Sequence, residues 1–447
     1  MPKKIAVHNL GCKVNSYELD VMQQRLVDKG YEIVPFDTEA DVYIINTCTV
    51  TNIADRKSRQ MLHKAKKENP EAIVVAVGCY VETDKAGVLK DESIDLAVGN
   101  NRKADIVDLL EEYIKEKESE EKVDKTLCGN SMVDINHTNE YEEMKLSQMP
   151  GHTRSYIKIQ DGCNQFCSYC IIPFARGRIR SRQQQDIIEE VTTLAQDGCK
   201  EIVITGIHIS SFGLDREGSE LLELLQKLNA IPGIERIRLS SMEPRIITKE
   251  MAEGLAALPK VCPHFHLSLQ SGCDETLKRM NRHYDTADFA RGVELLRTVY
   301  DRPAITTDVI VGFPGETEEE FKETVEFLEK INFYEMHVFK YSVRKGTVAA
   351  KLPGQLTDKQ KSVRSDVLLE MTERQSREYR QSFIGESFAV LWEDEEEVDG
   401  KTYLTGLSDR YVRVAVLKEK AKENNYTTGN ISVVTPSAFL KPDTLLI

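Results

Sequence analysis

The chain has 447 residues, 40% of them apolar and 30% charged, a foldable mixture with room for about three domains at roughly 150 residues each. Lys and Arg number 59 against 73 Asp and Glu, and the net charge of −14 excludes a protein that coats nucleic acid non-specifically. An RNA partner has to be gripped by local basic patches.

The first third alternates strand and helix. Residues 4–7, 41–45 and 72–77 are short apolar or β-branched runs that fit buried parallel strands, with helical patterns at 17–29 and 54–68 between them. Asn69-Pro70 stops the second helix. A three-layer α/β domain over residues 1–115 is expected. Glu and Lys dominate residues 111–125, and a polar linker is expected over 116–151. A second βα series follows, with strands at 155–160, 201–205, 236–240, 265–270, 306–311 and 336–341. Six such units fit a partial (β/α)6 barrel over residues 152–375, its working residues at the strand C-terminal ends. The pattern at 358–383 predicts a long helix with Val363, Val367, Leu368 and Met371 on one face. Beyond Gly385, strands at 387–392, 401–407, 411–417 and 431–435 predict a small antiparallel β-barrel over residues 376–447.

No apolar run approaches the roughly 20 residues of a membrane span. The N-terminal stretch, interrupted by His8 and Asn9, does not read as a signal peptide. A soluble cytoplasmic protein is expected. In that compartment ten cysteines point to metal or redox chemistry rather than disulfides.

The strongest signal is Cys163-x3-Cys167-x2-Cys170, within QDGCNQFCSYC, directly after the first strand of the βα series. Three thiolates on one short loop suit three corners of a [4Fe–4S] cubane. No fourth cysteine or histidine lies close in sequence, as a ferredoxin or a structural zinc site would require. An iron without a protein thiolate is free to take an exogenous ligand. This loop, with Tyr169 before its last cysteine, resembles the radical S-adenosylmethionine (SAM) enzymes. The resemblance implies that the open iron chelates the amino and carboxylate groups of SAM, whose reductive cleavage gives a 5′-deoxyadenosyl radical. Gly312-Phe313-Pro314-Gly315-Glu316-Thr317, after the fifth strand, looks like that family's SAM-adjacent turn. Thr317 and Glu320 have the spacing of a capping box. The family's usual Gly-Gly-Glu after the second strand is replaced here by Thr205-Gly206-Ile207-His208. His208 reads as a structural residue rather than a base. Gln270 and Gly312 are the SAM-binding candidates, and no catalytic side chain is assigned beyond the cluster ligands.

Cys12, Cys48 and Cys79 each sit immediately after an inferred strand, in LGC, NTC and VGC. In an open parallel sheet those positions converge where ligands bind. The segments resemble the N-terminal domain of the methylthiotransferases, which implies a second [4Fe–4S] cluster on these three cysteines, one iron again open to exogenous sulfur. The resemblance covers nearly the whole chain, including a C-terminal barrel like the TRAM domain. Cys128, Cys199, Cys262 and Cys273 match no ligand motif and read as packing residues.

LGCKVNSYELD, NTCTVTNIADRKSRQ and ARGRIRSR look most like the branch of that family acting on threonylcarbamoyladenosine in tRNA. Asn15 with Lys13-Val14 fits it better than the YGCQMN pattern of the isopentenyladenosine branch or the LGCPKN pattern of the ribosomal-protein branch. Arg176, Arg178, Arg180 and Arg182, and the helix carrying Arg56, Lys57, Arg59, Lys64, Lys66 and Lys67, flank the two cysteine sets and are the expected contacts to an anticodon stem-loop. The acidic run 393–397 weakens the case for RNA binding by the tail. The implied function is methylthiolation of adenine C2, with two clusters, SAM, a reductant and a sulfur donor. The rivals are an enzyme acting on isopentenyladenosine or on a ribosomal-protein aspartate, and a non-catalytic iron–sulfur RNA-binding protein.

Overall fold

The computed structural model describes residues 3–119, 123–127 and 129–447. Strands β1 (Lys4–Asn9), β2 (Glu32–Val34), β3 (Val42–Thr47), β4 (Ile73–Gly78) and β5 (Leu96–Val98) form a parallel sheet in the order β2-β1-β3-β4-β5. Every residue of β3 and β4 is buried, because both faces are covered. Alternate residues divide between the two faces. Val75 and Val77 pack with helices α1 (Lys13–Asp28) and α5 (Ile106–Glu118); Val74 and Ala76 pack with α2 (Asn52–Glu68), α3 (Cys79–Thr83) and α4 (Lys85–Lys90). The order reverses beside β1 and β3, a switch point of the kind at which open α/β sheets bind ligands. The edge strands β2 and β5 were not expected; at three residues each they are too short to show a period.

The segment after α5 is not a free spacer. It runs along the sheet edge, where the Ala97 and Gly99 amides donate to Lys125 O at 2.9 Å and Ser131 O at 2.8 Å, and it buries Met144 and Leu146 completely.

Strands β6 (Arg154–Asp161), β7 (Arg180–Ser181), β8 (Glu201–Gly206) and β9 (Arg236–Leu239) form one sheet, and β10 (His264–His266), β11 (Ala304–Val311) and β12 (Glu335–Lys340) another. Parallel bridges at Ile237–Val261 and Met242–Leu267 join them edge to edge. Except for the short antiparallel β7, the strands are parallel and make the expected six-stranded partial barrel. Helices α6 (Ile172–Ala175), α7 (Gln184–Gln196), α8 (Leu221–Asn229), α9 (Lys249–Ala256), α10 (Asp274–Arg279), α11 (Thr286–Val299) and α12 (Glu318–Ile331) lie between them. Phe265, Ile305, Val309 and Met336 join the apolar core shared with these helices. The intervening His264, His266, Thr306, Asp308 and His337 therefore face the lumen.

Helix α13 (Asp358–Gln381) forms where expected but presents a different face. Leu368 and Met371 are buried, whereas Val363 and Val367 are 58% and 42% exposed. Polar anchors set its rotation. Arg364 pairs with Glu316 at 2.5 Å, and the Lys361 stem packs over Gly312.

The tail contributes β13 (Phe388–Val398), β14 (Lys401–Ser408), β15 (Arg413–Leu417), helix α14 (Lys418–Glu423), β16 (Ile431–Val434), β17 (Ala438–Lys441) and β18 (Thr444–Leu446) to a six-stranded sheet. Its pairings are antiparallel except β15–β18, where the last strand returns along the free edge of β15. This unit closes the lower end of the barrel. Arg236 donates to Ala389 O at 2.7 Å and Arg238 to Ser408 O at 3.1 Å. The Tyr411 ring stacks on His264 at 4.8 Å beneath the Arg238 guanidinium at 4.9 Å.

Candidate functional site

Cys12 ends the β1 loop and N-caps α1, Cys48 follows β3, and Cys79 follows β4 as the first residue of α3. The topology brings the three together. A Cβ on Gly11 would lie 3.2 Å from Cys48 Sγ, and Cys48 lies within electrostatic reach of both Cys79 and Cys12. Asn15 bolts this arrangement. Its amide donates to Leu10 O at 2.7 Å and Thr47 O at 3.0 Å, and its backbone carbonyl accepts from Asn46 at 2.8 Å. Ser58 of α2 holds the Cys48 backbone through both its amide and its carbonyl. Arg344, from the segment after β12, reaches back to Thr49 at 2.8 Å and Asp55 at 2.6 Å.

Cys163, Cys167 and Cys170 lie on the loop leaving β6, at the mouth of the barrel. Gly162 starts that loop with φ +71, and a Cβ there would fall 1.8 Å from Arg178 O, so the loop closes on itself only with glycine. The Cys170 amide donates to Cys167 O at 2.9 Å, and Arg282 donates to Cys167 Sγ at 3.1 Å. Gln165 donates to Glu243 at 3.1 Å, and Glu243 also faces His208 at 3.4 Å and Arg245 at 2.5 Å. Burial alone would raise the Glu243 carboxyl, but the His208 and Arg245 partners hold it at about 2.

The two loops meet through Arg176, which is 1% exposed. It donates to Asn15 at 2.7 Å, grips Glu18 at 2.8 and 3.0 Å and reaches Asp161 at 3.2 Å; Lys158 bridges the same two carboxylates at 2.7 Å each. Arg180 and Arg182 are likewise buried, the latter against Glu190 and Glu143. The arginine run is thus not the RNA-facing surface expected of it: only Arg178 is partly exposed, stacked on Phe166 at 4.7 Å. The basic helix α2 is divided. Lys64 and Lys66 pair with Asp37 and Asp95, while Arg56, Lys57 and Lys67 face solvent. In the acidic run of the tail, Glu393, Glu395 and Glu396 are paired with Arg154, Lys418 and Arg413.

Gln270 is buried at φ 74, with its backbone bridging Asp308 and Ile310 at the barrel rim. Gly312 has φ 72, its amide donates to Glu316 at 2.7 Å, and the space beside it is filled by Lys361. Thr317 and Glu320 form the capping box in full. His208 hydrogen-bonds Ser211 at 2.6 Å. Cys199, Cys262 and Cys273 are buried, and Cys128 lies outside the described residues.

Both cysteine sets suit a cluster by donor chemistry. Burial pushes the Cys48 and Cys163 thiols up to about 11 and Cys170 up to about 12, so a thiolate forms there only against a strong positive charge such as iron. Among the described residues, neither set gathers three sulfurs within 4.8 Å, the compactness a single ion needs.

Sequence reasoning missed Arg282, Glu243, Arg344 and Tyr411, each an isolated polar residue with no motif. It also missed Phe166 and Phe174, which are 40% and 45% exposed and meet edge-on at 6.3 Å beside the second cysteine loop.

Residues 157–328 match the radical SAM superfamily, and residues 4–99 match a family described as uncharacterized protein family UPF0004. The threonylcarbamoyladenosine tRNA methylthiotransferase MtaB of Bacillus subtilis (strain 168) is 38% identical over 92% of this chain and 89% of its own. The tRNA-2-methylthio-N(6)-dimethylallyladenosine synthase of Acetivibrio thermocellus is 34% identical over 90% of this chain and 83% of its own. Among solved structures, the radical SAM methyltransferase TsrM of Kitasatospora setae, with cobalamin and a [4Fe–4S] cluster bound, has TM-score 0.55 and 18% identity over 76% of this chain and 75% of that one, a likeness of fold alone. No helix among the described residues is long and apolar enough to cross a membrane.

Proposed function

The chain belongs to the radical SAM tRNA methylthiotransferases, and on that premise we propose that it adds a methylthio group to C2 of N6-threonylcarbamoyladenosine beside the tRNA anticodon, with SAM as methyl donor and radical source. The observation that carries this reading is the near-full-length likeness to the Bacillus subtilis enzyme, in a chain whose two cysteine triads sit at strand ends. Cys163, Cys167 and Cys170 would hold one [4Fe–4S] cluster and Cys12, Cys48 and Cys79 the other. When bound, these groups supply the electron for SAM cleavage and a site for exogenous sulfur.

The residues around them orient and neutralise. Arg282 places positive charge on Cys167, and Arg176 lies within electrostatic reach of Cys79. Glu243, held ionised beside the cluster loop, is the carboxylate proposed for the SAM amino group, the contact left open by the missing Gly-Gly-Glu. Gln270 and Gly312 are retained as rim residues of the SAM site, Gln270 through its side chain and Gly312 through its turn. The target base must leave its stack to reach the barrel mouth. Phe166, Phe174 and Arg178 offer a stacking ledge for unstacked anticodon-loop bases, and Arg56 and Lys57 offer phosphate contacts. The reaction also needs a reductant and a sulfur donor, and a tRNA substrate supports a cytoplasmic location.

Anaerobic iron and sulfide counting, followed by a 5′-deoxyadenosine assay and mass spectrometry of a modified anticodon stem-loop, tests this reading. About eight irons per chain are expected, and full activity in a Cys167→Ala variant would refute it. Bulk tRNA that keeps its methylthio adenosines in a deletion strain, while a ribosomal protein loses mass, would point to the protein-modifying branch instead.

A further inference from the structure

The barrel lumen is lined by charged and imidazole side chains rather than apolar ones. Lys13, the residue after Cys12, lies within electrostatic reach of Arg154, Arg238 and Asp308. Those three belong to β6, β9 and β11, so a charge near all of them sits inside the barrel. His264 in turn faces Lys13, His266 and His337. Arg154 and Arg238 are already committed to Glu201, at 3.5 and 3.0 Å. Among the described residues, no carboxylate comes within 4.0 Å of the Lys13 ammonium.

Three neighbouring strands complete the wall. Asp308 pairs in register with His337, and His266 Nε2 lies 3.3 Å from Asp308 Oδ2. The two imidazoles stack at 5.7 Å, and the donor atoms of all three residues lie within 4.8 Å of one another. His266 Nδ1 is fixed by Thr306 at 3.1 Å, whereas its Nε2, although 3.3 Å from Asp308 Oδ2, is not aligned for a hydrogen bond to it. The triad thus offers donor and acceptor positions to a ligand entering from above.

Adenine carries C2 and its N6 substituent on the same Watson–Crick side. A base that enters with this side foremost brings both C2 and the substituent to the barrel mouth, directly above this lumen. An apolar dimethylallyl group would leave the lining unpaired, which is costly in a desolvated site. A threonylcarbamoyl group brings a carboxylate, a hydroxyl and a urea.

We propose that the lumen is the subsite for the N6 substituent, with Lys13 receiving its carboxylate and His266, Asp308 and His337 its hydroxyl and urea, and that this lining selects an acidic substituent over an isoprenoid. The proposal rests on the function proposed above.

The test uses the reconstituted full-length enzyme and three anticodon stem-loops, bearing threonylcarbamoyladenosine, its threoninamide analogue or isopentenyladenosine. Wild type is expected to bind the amide more weakly than the acid by roughly 10- to 100-fold, seen in KM and in direct titration. A Lys13→Met variant with wild-type iron content should lose that preference by weakening on the acid alone. His337→Leu should weaken both threonyl substrates together. Equal KM for acid and amide in wild type, a measurement needing no variant, overturns the Lys13 assignment. Stoichiometric non-cluster metal that disappears in His266→Ala overturns the triad's role. Turnover of the isopentenyl stem-loop alone overturns the proposed function itself, a distinct result because neither threonyl substrate then reacts.

Discussion

Arg176, carried on the loop that leaves Cys170, donates to Asn15 Oδ1 at 2.7 Å, and Asn15 belongs to the helix that begins at Cys12. A side chain beside one cysteine set therefore holds the Asn15 side chain, whose amide ties the loops of the other, and does so while buried against Glu18 and Asp161. Removing its charge leaves Asn15 Oδ1 without its donor and Glu18 and Asp161 with Lys158 as their shared cation, and Arg176→Ala is expected to cost about 3 kcal/mol. Calorimetry of the cluster-loaded protein should show the N-terminal unit melting apart from the barrel. Unfolding within 1 kcal/mol of wild type would rule out this bracing.

Gly162→Ala should damage one cluster site and spare the other. The added Cβ has nowhere to go, with Arg178 O at 1.8 Å and a positive φ that only glycine tolerates well. Iron is expected to fall from about eight to about four per chain. The residual cluster spectrum should be lost on adding Cys48→Ser but not on adding Cys163→Ser.

Glu201 gives docking of the C-terminal unit an acid limit. Burial alone would raise its carboxyl, but Arg238, Arg154 and Arg236 hold it at about 2, below the ordinary glutamate value. A depressed carboxyl stabilises fully above its unfolded value, and that contribution drains away as pH falls toward the folded one. The wild-type advantage over Glu201→Gln should be of order 3 kcal/mol above about pH 5 and shrink steadily toward pH 2. Trp392, the only tryptophan and fully buried in the tail, reports it by fluorescence. A difference that stays constant with pH would count against the ion-pair account.

The face of α13 is checked by a contrast of two substitutions. Val367→Lys places charge on an exposed position and should change stability by less than about 0.5 kcal/mol, whereas Leu368→Ala empties a buried one and should cost about 2–5 kcal/mol. Chemical denaturation of both variants decides it, and a large loss in the first would restore the face expected from periodicity alone.

Much of the architecture was legible because it is encoded locally. Fully buried strands announce themselves as apolar runs, and the Thr317–Glu320 cap needs only a spacing of three. Cysteines repeated after strands carry their own topological reason to converge. The arginines at 176, 180 and 182 misled for the opposite cause. Their alternation looks like a solvent-facing stripe, but Glu18 lies 158 positions from Arg176 in sequence, and no local pattern reveals a partner at that distance. His266, Asp308 and His337 were silent for the same reason, each being one polar residue on its own strand.

Arg344 lies beyond the last barrel strand, yet its guanidinium fastens the turn that follows Cys48. During synthesis the ribosome emits all three N-terminal cysteines long before the side chain that secures their second loop. The bracing of that loop is therefore complete only once nearly the whole barrel has been made, so the site proposed on the first cysteines to emerge is among the last to be fully secured.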